Sequence, residues 1–288
     1  MEYIQYYDEI VKRRESCRNF QEQDVEQAKI DEIEKYYSDT AVLVDNICTD
    51  MKIYDADVAE VLGQTVGYNG FLIKAPMYIA LFSDEADHYL ENAGFISQGL
   101  TLKLTQLDLA ACWLTINDAD AATKALGYSG DKKLASFIAF GYRKPSDEET
   151  RLDIKSPSNV KMIKSGTKIA PKISLEDMVS YMKLGTPYES EKLYSELESA
   201  LRAVSHSQSF FNRQPYRIIL TDSKAYLVGL NDELTNEIDT HLNYGIAMFN
   251  FYAVMESIRA NAPKWSFEAP DEDIKLPSDV KYIAKCGL

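Results

Sequence analysis

The segment at residues 14–20, Arg-Glu-Ser-Cys-Arg-Asn-Phe, carries side chains that suit a phosphate group. Arg14 supplies a guanidinium group and Ser16 supplies a hydroxyl group. A phosphate monoester carries about −1.5 to −2 charges at neutral pH, and it binds such charge-assisted donors strongly. Arg18 lies four residues after Arg14, so at a helix end both side chains would project from one face. The segment is therefore a candidate phosphate-binding site.

A second segment, residues 209–216, has the sequence Ser-Phe-Phe-Asn-Arg-Gln-Pro-Tyr. The side-chain amides of Asn212 and Gln214 both donate and accept hydrogen bonds, which suits the polar edge of a planar heteroaromatic ligand. Ser209 adds a hydroxyl group. Asn is also common in turns, so a turn before Pro215 is the alternative interpretation.

The net charge of the chain makes the first segment unusual. The formal net charge is −14, which argues against nucleic acids and anionic membranes as partners. Against that background, the run of cations at residues 12–14, followed by Arg18, is a local exception. Two alternatives to a binding site stay open: a solvated basic helix face, and a surface ion pair of Arg14 with Glu9 or Glu15.

Composition sets further limits on the class of protein. The chain has 288 residues, of which 45% are hydrophobic and 26% are charged, as in ordinary globular proteins. The four cysteines and three histidines show no paired or ligand-like spacing, so we expect neither a disulfide framework nor a metal site. No apolar run reaches the ~18 residues of a membrane span, and the first residues do not resemble a secretory signal. We therefore expect a cytoplasmic protein.

The two segments resemble motifs of the FMN-dependent nitroreductases. In that family, the arginine and serine of an R-x-S-x-R-x-F segment hold the flavin phosphate. An S-x-x-N-x-Q-P-W segment meets the flavin at the subunit interface. The resemblance implies one FMN site to which both segments contribute. The cofactor-binding residues that it implies are Arg14, Ser16, Arg18, Leu114, Thr115, Lys144, Arg151, Ser209, Asn212 and Gln214.

The resemblance extends beyond the two motifs. Residues 98–114 are similar to the family's central helix and the G-x-x-x-C-W-L-G segment after it, which implies that a backbone amide near Leu114 and Thr115 donates to flavin N5. Residues 140–145 and then Arg151 are similar to the late strand and basic tail. The sequence departs from the family where Ala110 and Ala111 replace a glycine-rich turn, where Thr115 replaces a glycine, and where Tyr216 replaces a tryptophan.

The order of the predicted elements indicates an internal duplication. Each half has helices, a β region, a long apolar helix that carries a glycine, and then a tryptophan. We expect helices near residues 4–11, 26–37, 87–111, 174–183, 189–204 and 234–261, and strands near 47–54, 75–82, 112–116, 136–142, 216–220, 225–228 and 280–284.

The resemblance and the repeat together predict an α+β, nitroreductase-like fold. Two tandem repeats would form an intrachain pseudo-dimer, as in a two-repeat branch of the family that residues 238–265 resemble. The expected division is an N-terminal half at 1–143, a linker at 144–172 and a C-terminal half at 173–288. Only the first half has an R-x-S segment, and only the second has an N-x-Q-P segment. We therefore expect a monomer with one FMN site per chain.

The function that the resemblance implies is two-electron reduction of nitroaromatics, quinones or similar flat acceptors by NAD(P)H. No protein side chain is expected to act as nucleophile, because the flavin carries the chemistry. The first alternative is a non-catalytic protein that binds or sequesters flavin, which the departures at Ala110, Ala111 and Thr115 motivate. The second alternative keeps the fold without a cofactor.

Overall fold

The computed structural model describes residues 6–68, 71–145, 149–156, 159–165, 171–189, 193–258 and 262–288. The chain divides into two compact units. One unit is Arg14–Ala170, and the other joins Met1–Arg13 to Pro171–Leu288. The first thirteen residues therefore group with the C-terminal half of the sequence, which differs from the expected half at 1–143.

The unit Arg14–Ala170 is built on a four-stranded antiparallel sheet with the strand order β1-β2-β4-β3. Its helices are α1 (Gln27–Asp39), α2 (Val58–Leu62), α3 (Tyr89–Gln106) and α4 (Ala119–Ala125). Its strands are β1 (Thr49–Asp55), β2 (Met77–Ser83), β3 (Ala110–Leu114) and β4 (Lys133–Gly141), with a separate antiparallel pair, β5 (Glu149–Ser156) and β6 (Asn159–Ser165).

The two central strands of this sheet form the core of the unit. Strands β2 and β4 are buried at every position after the first, so their sequences are nearly continuous apolar runs. Tyr78 and Phe137 stack across these strands with ring centroids 5.4 Å apart. Helix α3 is buried along most of its length, which explains why its apolar residues are spread around the helix rather than confined to one face.

The second unit is built on a five-stranded sheet with the order β10-β11-β9-β8-β7. Its helices are a π-helical segment (Tyr7–Val11), α5 (Leu175–Met178), α6 (Ser195–Ser205) and α7 (Glu237–Ile258). Its strands are β7 (Val179–Tyr181), β8 (Tyr216–Leu220), β9 (Lys224–Leu230), β10 (Trp265–Ser266) and β11 (Val280–Gly287).

The internal duplication is confirmed by the strand order. The sequence β1-β2-β4-β3 in one unit corresponds to β8-β9-β11-β10 in the other, and a long buried helix follows the second strand in each. The two tryptophans occupy matching places. Trp113 Nε1 donates to Thr101 Oγ1 of α3 at 3.0 Å, and Trp265 Nε1 donates to the Met248 carbonyl of α7 at 3.1 Å. Each indole thus ties a strand to the preceding long helix.

Four sequence predictions differ from the observed elements, one of them at 189–204, where α6 begins only at Ser195. The helix predicted at 174–183 ends at Met178, because residues 179–181 leave it to pair in parallel with β8. The helix predicted at 87–111 ends at Gln106, and β3 begins at Ala110. The segment predicted as a linker, 144–172, contains the β5–β6 pair rather than irregular chain alone.

The N-terminal segment is attached to α6 through an aromatic contact. The Tyr7 and His206 rings are nearly perpendicular, with centroids 5.6 Å apart, and Tyr7 Oη lies 3.3 Å from His206 Nδ1. Burial lowers the pKa of His206, and the nearby charges of Lys172, Lys12 and Arg202 act in the same direction. The folded protein therefore holds His206 in its neutral form at neutral pH.

This burial predicts a pH-dependent stability. The stability that neutral His206 contributes is complete above its usual pKa of 6.5, and it is lost as pH falls through the lower folded-state value. We expect the wild type to lose more unfolding free energy between about pH 8 and about pH 5 than His206→Phe, which keeps a ring beside Tyr7 but does not titrate. Urea denaturation at both pH values measures this, and equal losses in the two proteins would contradict it.

No helix within the described parts of the chain is long and apolar enough to cross a membrane. Within the same residues, no cluster of histidine, cysteine and carboxylate side chains could hold a metal ion.

Candidate active site

The first segment runs beside β3, which is an edge strand of its sheet. Ser16 pairs with Ala111 in a parallel bridge, and the Cys17 amide donates to the Ala111 carbonyl at 2.8 Å. Backbone hydrogen bonds of this kind satisfy groups that an edge strand leaves exposed. The segment is therefore fixed by the sheet rather than by a helix end.

The segment is then held by the end of β4. The Gln21 amide donates to the Tyr142 carbonyl at 2.9 Å, and the Lys144 amide donates to the Asn19 carbonyl at 2.9 Å. Phe20 pairs with Arg143 in an antiparallel bridge. These contacts place Arg143 and Lys144 next to the segment, although they lie more than a hundred residues away in sequence.

Three arginines of this unit, Arg14, Arg18 and Arg143, form a cluster of positive charge. Burial, together with the charges of Arg18 and Arg143, lowers the pKa of Arg14 to about 10, while Cys112 and Glu15 oppose that shift. Arg14 nevertheless stays protonated at neutral pH. Repulsion among guanidinium groups destabilises the cluster unless an anion joins it. The cluster therefore has the electrostatic character of an anion site.

The surface ion pair that was the alternative for Arg14 is not formed with Glu15. The Glu15 carboxylate instead binds Arg143, with Oε2 3.1 Å from the guanidinium nitrogen. Among the described residues of this unit, no carboxylate forms an ion pair with Arg14. Arg14 is only partly accessible, so among the described residues of its unit it is a partly buried cation without an ion pair.

The far end of β3 carries Leu114 and Thr115. Leu114 is buried and ends the strand, and the Thr115 carbonyl accepts a hydrogen bond from the Gly67 amide at 2.8 Å. Gly67 has a φ of +103°, and a Cβ there would lie 2.5 Å from the Phe71 carbonyl oxygen, so this turn requires glycine. Thr115 directly follows β3 and is four residues beyond Ala111, a separation of about 13 Å if the extended rise continues.

For Lys144 and Arg151, the structure gives the backbone position but describes no side-chain contact that would support cofactor binding. Lys144 is exposed, and its backbone is fixed by Asn19 as described above. Arg151 lies in β5, but its side chain falls outside the residues whose side chains are described. A cofactor-binding role for either residue stays a prediction.

The second segment forms a tight turn. Ser209 Oγ accepts a hydrogen bond from the Gln214 amide at 2.8 Å, and the Ser209 carbonyl accepts one from the Asn212 amide at 2.9 Å. Phe211, Asn212 and Gln214 have φ values of +50°, +58° and +46°. Asn adopts this left-handed region more readily than most residues, and Pro215 follows the turn directly. The turn predicted as the alternative interpretation is thus the observed local structure.

The side-chain amide of Gln214 is bonded within its own unit. Gln214 is 1% exposed, and its Nε2 donates to the Ser205 carbonyl at 2.7 Å and to the Ser207 carbonyl at 3.3 Å. Its Oε1 accepts a hydrogen bond from the Ile173 amide at 3.0 Å. These contacts join the turn to the end of α6 and to the chain that precedes α5.

The side-chain amide of Asn212 has partners as well. Its Nδ2 donates to the Pro171 carbonyl at 2.6 Å, and its Oδ1 accepts a hydrogen bond from Lys172. Both amides of the motif therefore support the turn. A direct role of Ser209, Asn212 and Gln214 in cofactor binding stays a prediction.

Sequence reasoning did not assign Glu15 and Arg143 to the site. Their pairing depends on the bridge between Phe20 and Arg143, which local periodicity does not reveal. The available signal was the basic pair Arg143-Lys144 directly after a buried strand that ends at a glycine.

Comparisons with known proteins agree with this fold. The sequence matches the family described as Putative TM nitroreductase over residues 7–254. A putative nitroreductase from Thermotoga maritima has a similar structure, with a TM-score of 0.60 and 16% sequence identity, over 99% of this chain and 94% of that chain. No curated protein matches the sequence significantly.

Shorter nitroreductase structures match part of the chain. An FMN-dependent nitroreductase from Clostridium difficile has a TM-score of 0.42 and 21% identity, over 48% of this chain and 88% of that chain. A putative nitroreductase in complex with FMN from Desulfovibrio desulfuricans has a TM-score of 0.43 and 20% identity, over 50% of this chain and 88% of that chain. The family match covers parts of both compact units, and the Thermotoga maritima structure shares the fold over nearly the whole length. This chain therefore belongs to the putative TM nitroreductase family and has a nitroreductase-like α+β fold.

Proposed function

We propose that this protein is an FMN-dependent oxidoreductase whose cofactor phosphate binds at Arg14, Ser16 and Arg18. The observation that carries the proposal is the arginine cluster around Arg14, in which Arg14 forms no ion pair within the described part of its unit. The chain has a net charge of −14, so carboxylates that could pair with such a cation are in excess. Family membership supplies the second support.

The donor set fits a phosphate monoester. Three guanidinium groups and the Glu15 carboxylate leave a net charge of two positive units in the cluster, close to the charge of about −1.5 to −2 on the ligand. Guanidinium groups bind phosphate oxygens through paired, charge-assisted hydrogen bonds. Ser16, whose backbone pairs with Ala111, would add a neutral donor from the edge of the sheet.

Strand β3 connects the proposed phosphate site to the proposed ring site. Ala111 pairs with Ser16 at one end, and Leu114 and Thr115 lie at the other. Backbone groups there would orient the ring, which is the role that the family resemblance implies for these two residues.

Bound FMN would supply the redox chemistry, by accepting a hydride from a nicotinamide and passing two electrons to an acceptor. The residues of this chain would bind and orient it. The arginine cluster would fix the phosphate, and the end of β3 would define one side of the ring pocket. We propose NADH or NADPH as the donor and nitroaromatics, quinones or similar flat molecules as acceptors.

The experiment is a titration of the purified full-length chain with FMN, followed by an NAD(P)H oxidation assay. We expect quenching of flavin fluorescence on binding, and acceptor-dependent oxidation of NADH or NADPH when a nitroaromatic or a quinone is added. An absence of FMN binding would overturn the proposal.

A second candidate is a flavin-binding protein without turnover. Ala110, Ala111 and Thr115 depart from the small residues that the family places near the ring, and the Thr115 carbonyl is occupied by Gly67. The same assay separates the two. FMN binding without NAD(P)H oxidation by any acceptor favours this candidate, whereas acceptor-dependent oxidation excludes it.

The proposal also predicts one FMN per chain. The clustered arginines occur in the unit Arg14–Ala170, and the stretch that corresponds to the R-x-S segment in the other unit begins Ser174-Leu175-Glu176-Asp177, with acids in place of arginines. Calorimetric titration with FMN, combined with light scattering of the same sample, measures the ratio and the mass. We expect one flavin per monomer, and two flavins per chain would contradict the asymmetry.

A further inference from the structure

Glu15 lies within the cluster of Arg14, Arg18 and Arg143, and its carboxylate forms an ion pair with Arg143. Its Oε2 lies 3.1 Å from a guanidinium nitrogen of Arg143, and the two side chains are 27% and 31% exposed. Both are therefore shielded from bulk water yet accessible to a ligand. The charge of Glu15 also acts on Arg14 next to it.

The backbone around Arg143 is fixed independently of this ion pair. The Arg143 carbonyl accepts a hydrogen bond from Gln21 Nε2 at 2.7 Å, and its backbone pairs with Phe20. Glu15 is likewise held between Arg14 and Ser16, whose backbone pairs with β3. The backbone on both sides of the ion pair is therefore fixed by contacts that do not involve the pair itself.

We propose that Glu15 is a specificity-determining residue of the FMN site, because it competes with the flavin phosphate for Arg143. This inference rests on the proposed function. In the free protein, Glu15 neutralises Arg143. When a phosphate binds at Arg14, Arg143 turns from Glu15 to the phosphate, and the breaking of the ion pair weakens binding. The carboxylate also repels any anion at the site, and this penalty grows with the negative charge of the ligand, so Glu15 lowers the preference for phosphorylated over unphosphorylated flavin.

The substitution Glu15→Gln tests this competition. Glutamine keeps the shape of the side chain and removes its charge, so Arg143 and Arg14 become more available. We expect FMN to bind about 2–5-fold more tightly, the change that corresponds to a partly exposed ion pair. Riboflavin, which has the same ring without a phosphate, should bind wild type and variant equally. Flavin fluorescence quenching measures all four affinities.

A double-mutant cycle with Arg143→Gln shows whether Glu15 acts through Arg143. We expect the effect of Glu15→Gln on FMN affinity to be mostly lost when Arg143 is already replaced. Glu9→Gln is the matched control, since it removes the same charge from an exposed position six residues earlier in the sequence. It should change FMN affinity little. Circular dichroism and thermal unfolding of the cofactor-free variants check that each one folds.

The outcomes separate this inference from the function on which it rests. If wild type binds FMN and Glu15→Gln binds it equally or more weakly, Glu15 does not compete and this inference alone fails. An equal gain for FMN and riboflavin also overturns it, because the gain would not depend on phosphate. If neither protein binds FMN at all, the proposed function fails and takes the inference with it.

Discussion

Replacement of Arg14 by alanine is expected to weaken FMN binding by about 1.5–3 kcal/mol, the value of a hydrogen bond that involves a charged group. The dissociation constant should rise by roughly 10- to 150-fold. Riboflavin affinity should change little, because it lacks the phosphate. The stability of the cofactor-free protein should not fall, since burial disfavours the charge of Arg14 and Arg14 forms no ion pair in the described part of its unit.

The matched control for this prediction is Arg13→Ala. Arg13 is the preceding residue, carries the same charge and is exposed, with its guanidinium bonded to the Glu9 carbonyl at 3.3 Å. Its replacement should leave FMN affinity almost unchanged. Fluorescence titration gives the affinities, and thermal unfolding gives the stabilities. An Arg14→Ala protein that binds FMN normally but unfolds at a much lower temperature would show that Arg14 is structural.

Replacement of Gln214 by alanine is expected to lower the free energy of unfolding by about 2–4 kcal/mol. The substitution leaves the Ile173 amide and the carbonyls of Ser205 and Ser207 without their partner in a buried position. Each buried group that loses its hydrogen bond costs about 1–3 kcal/mol, and relaxation recovers part of that cost. Urea denaturation measures the change.

The matched control for Gln214 is Asn212→Ala in the same turn. Asn212 is only partly buried, so water can replace its bonds to Pro171 and Lys172 and the loss should be smaller. FMN titration of both variants tests the other role that the family resemblance implies. If Gln214→Ala folds with normal stability but loses FMN affinity, its amide binds the cofactor rather than the turn.

The sequence was most informative about features that depend on local pattern. The strands at residues 77–83 and 133–141 are buried apolar runs, and the long helices α3 and α7 are buried along most of their length, so the sequence predicted where each one lies, although it extended α3 five residues too far. The repeat was visible from a glycine and a tryptophan in each half. Matching strand orders then confirmed it, because the two sheets use the same sequence of pairings.

Features that depend on long-range pairing were missed. Residues 175–181 begin as a helix capped by Ser174 and end as a strand that pairs with β8, so the local pattern supported one helix where there are two short elements. In the segment predicted as a linker, alternation in Arg-Leu-Asp-Ile-Lys at 151–155 was a signal for β5 that its polar flanks obscured.

In the candidate site, too, the residues recognised by local pattern were predicted and those placed by long-range pairing were not. Arg14, Ser16 and Arg18 stood out because their types and spacing match a phosphate-binding motif. The contribution of Arg143 required the bridge between Phe20 and Arg143, which joins residues that are distant in sequence. The sequence showed that the Gln214 side-chain amide can donate and accept hydrogen bonds. Only the fold showed that the Ile173 amide and the Ser205 carbonyl are its partners.

The most direct test of the proposed site is a crystal structure of the full-length protein with FMN. We expect phosphate oxygens within hydrogen-bonding distance of the Arg14 guanidinium group and the Ser16 hydroxyl group, with the flavin ring towards Leu114 and Thr115. Arg143 should have turned from Glu15 to the phosphate. A phosphate bound by other residues, with Arg14 uninvolved, would show that the proposed site is wrong.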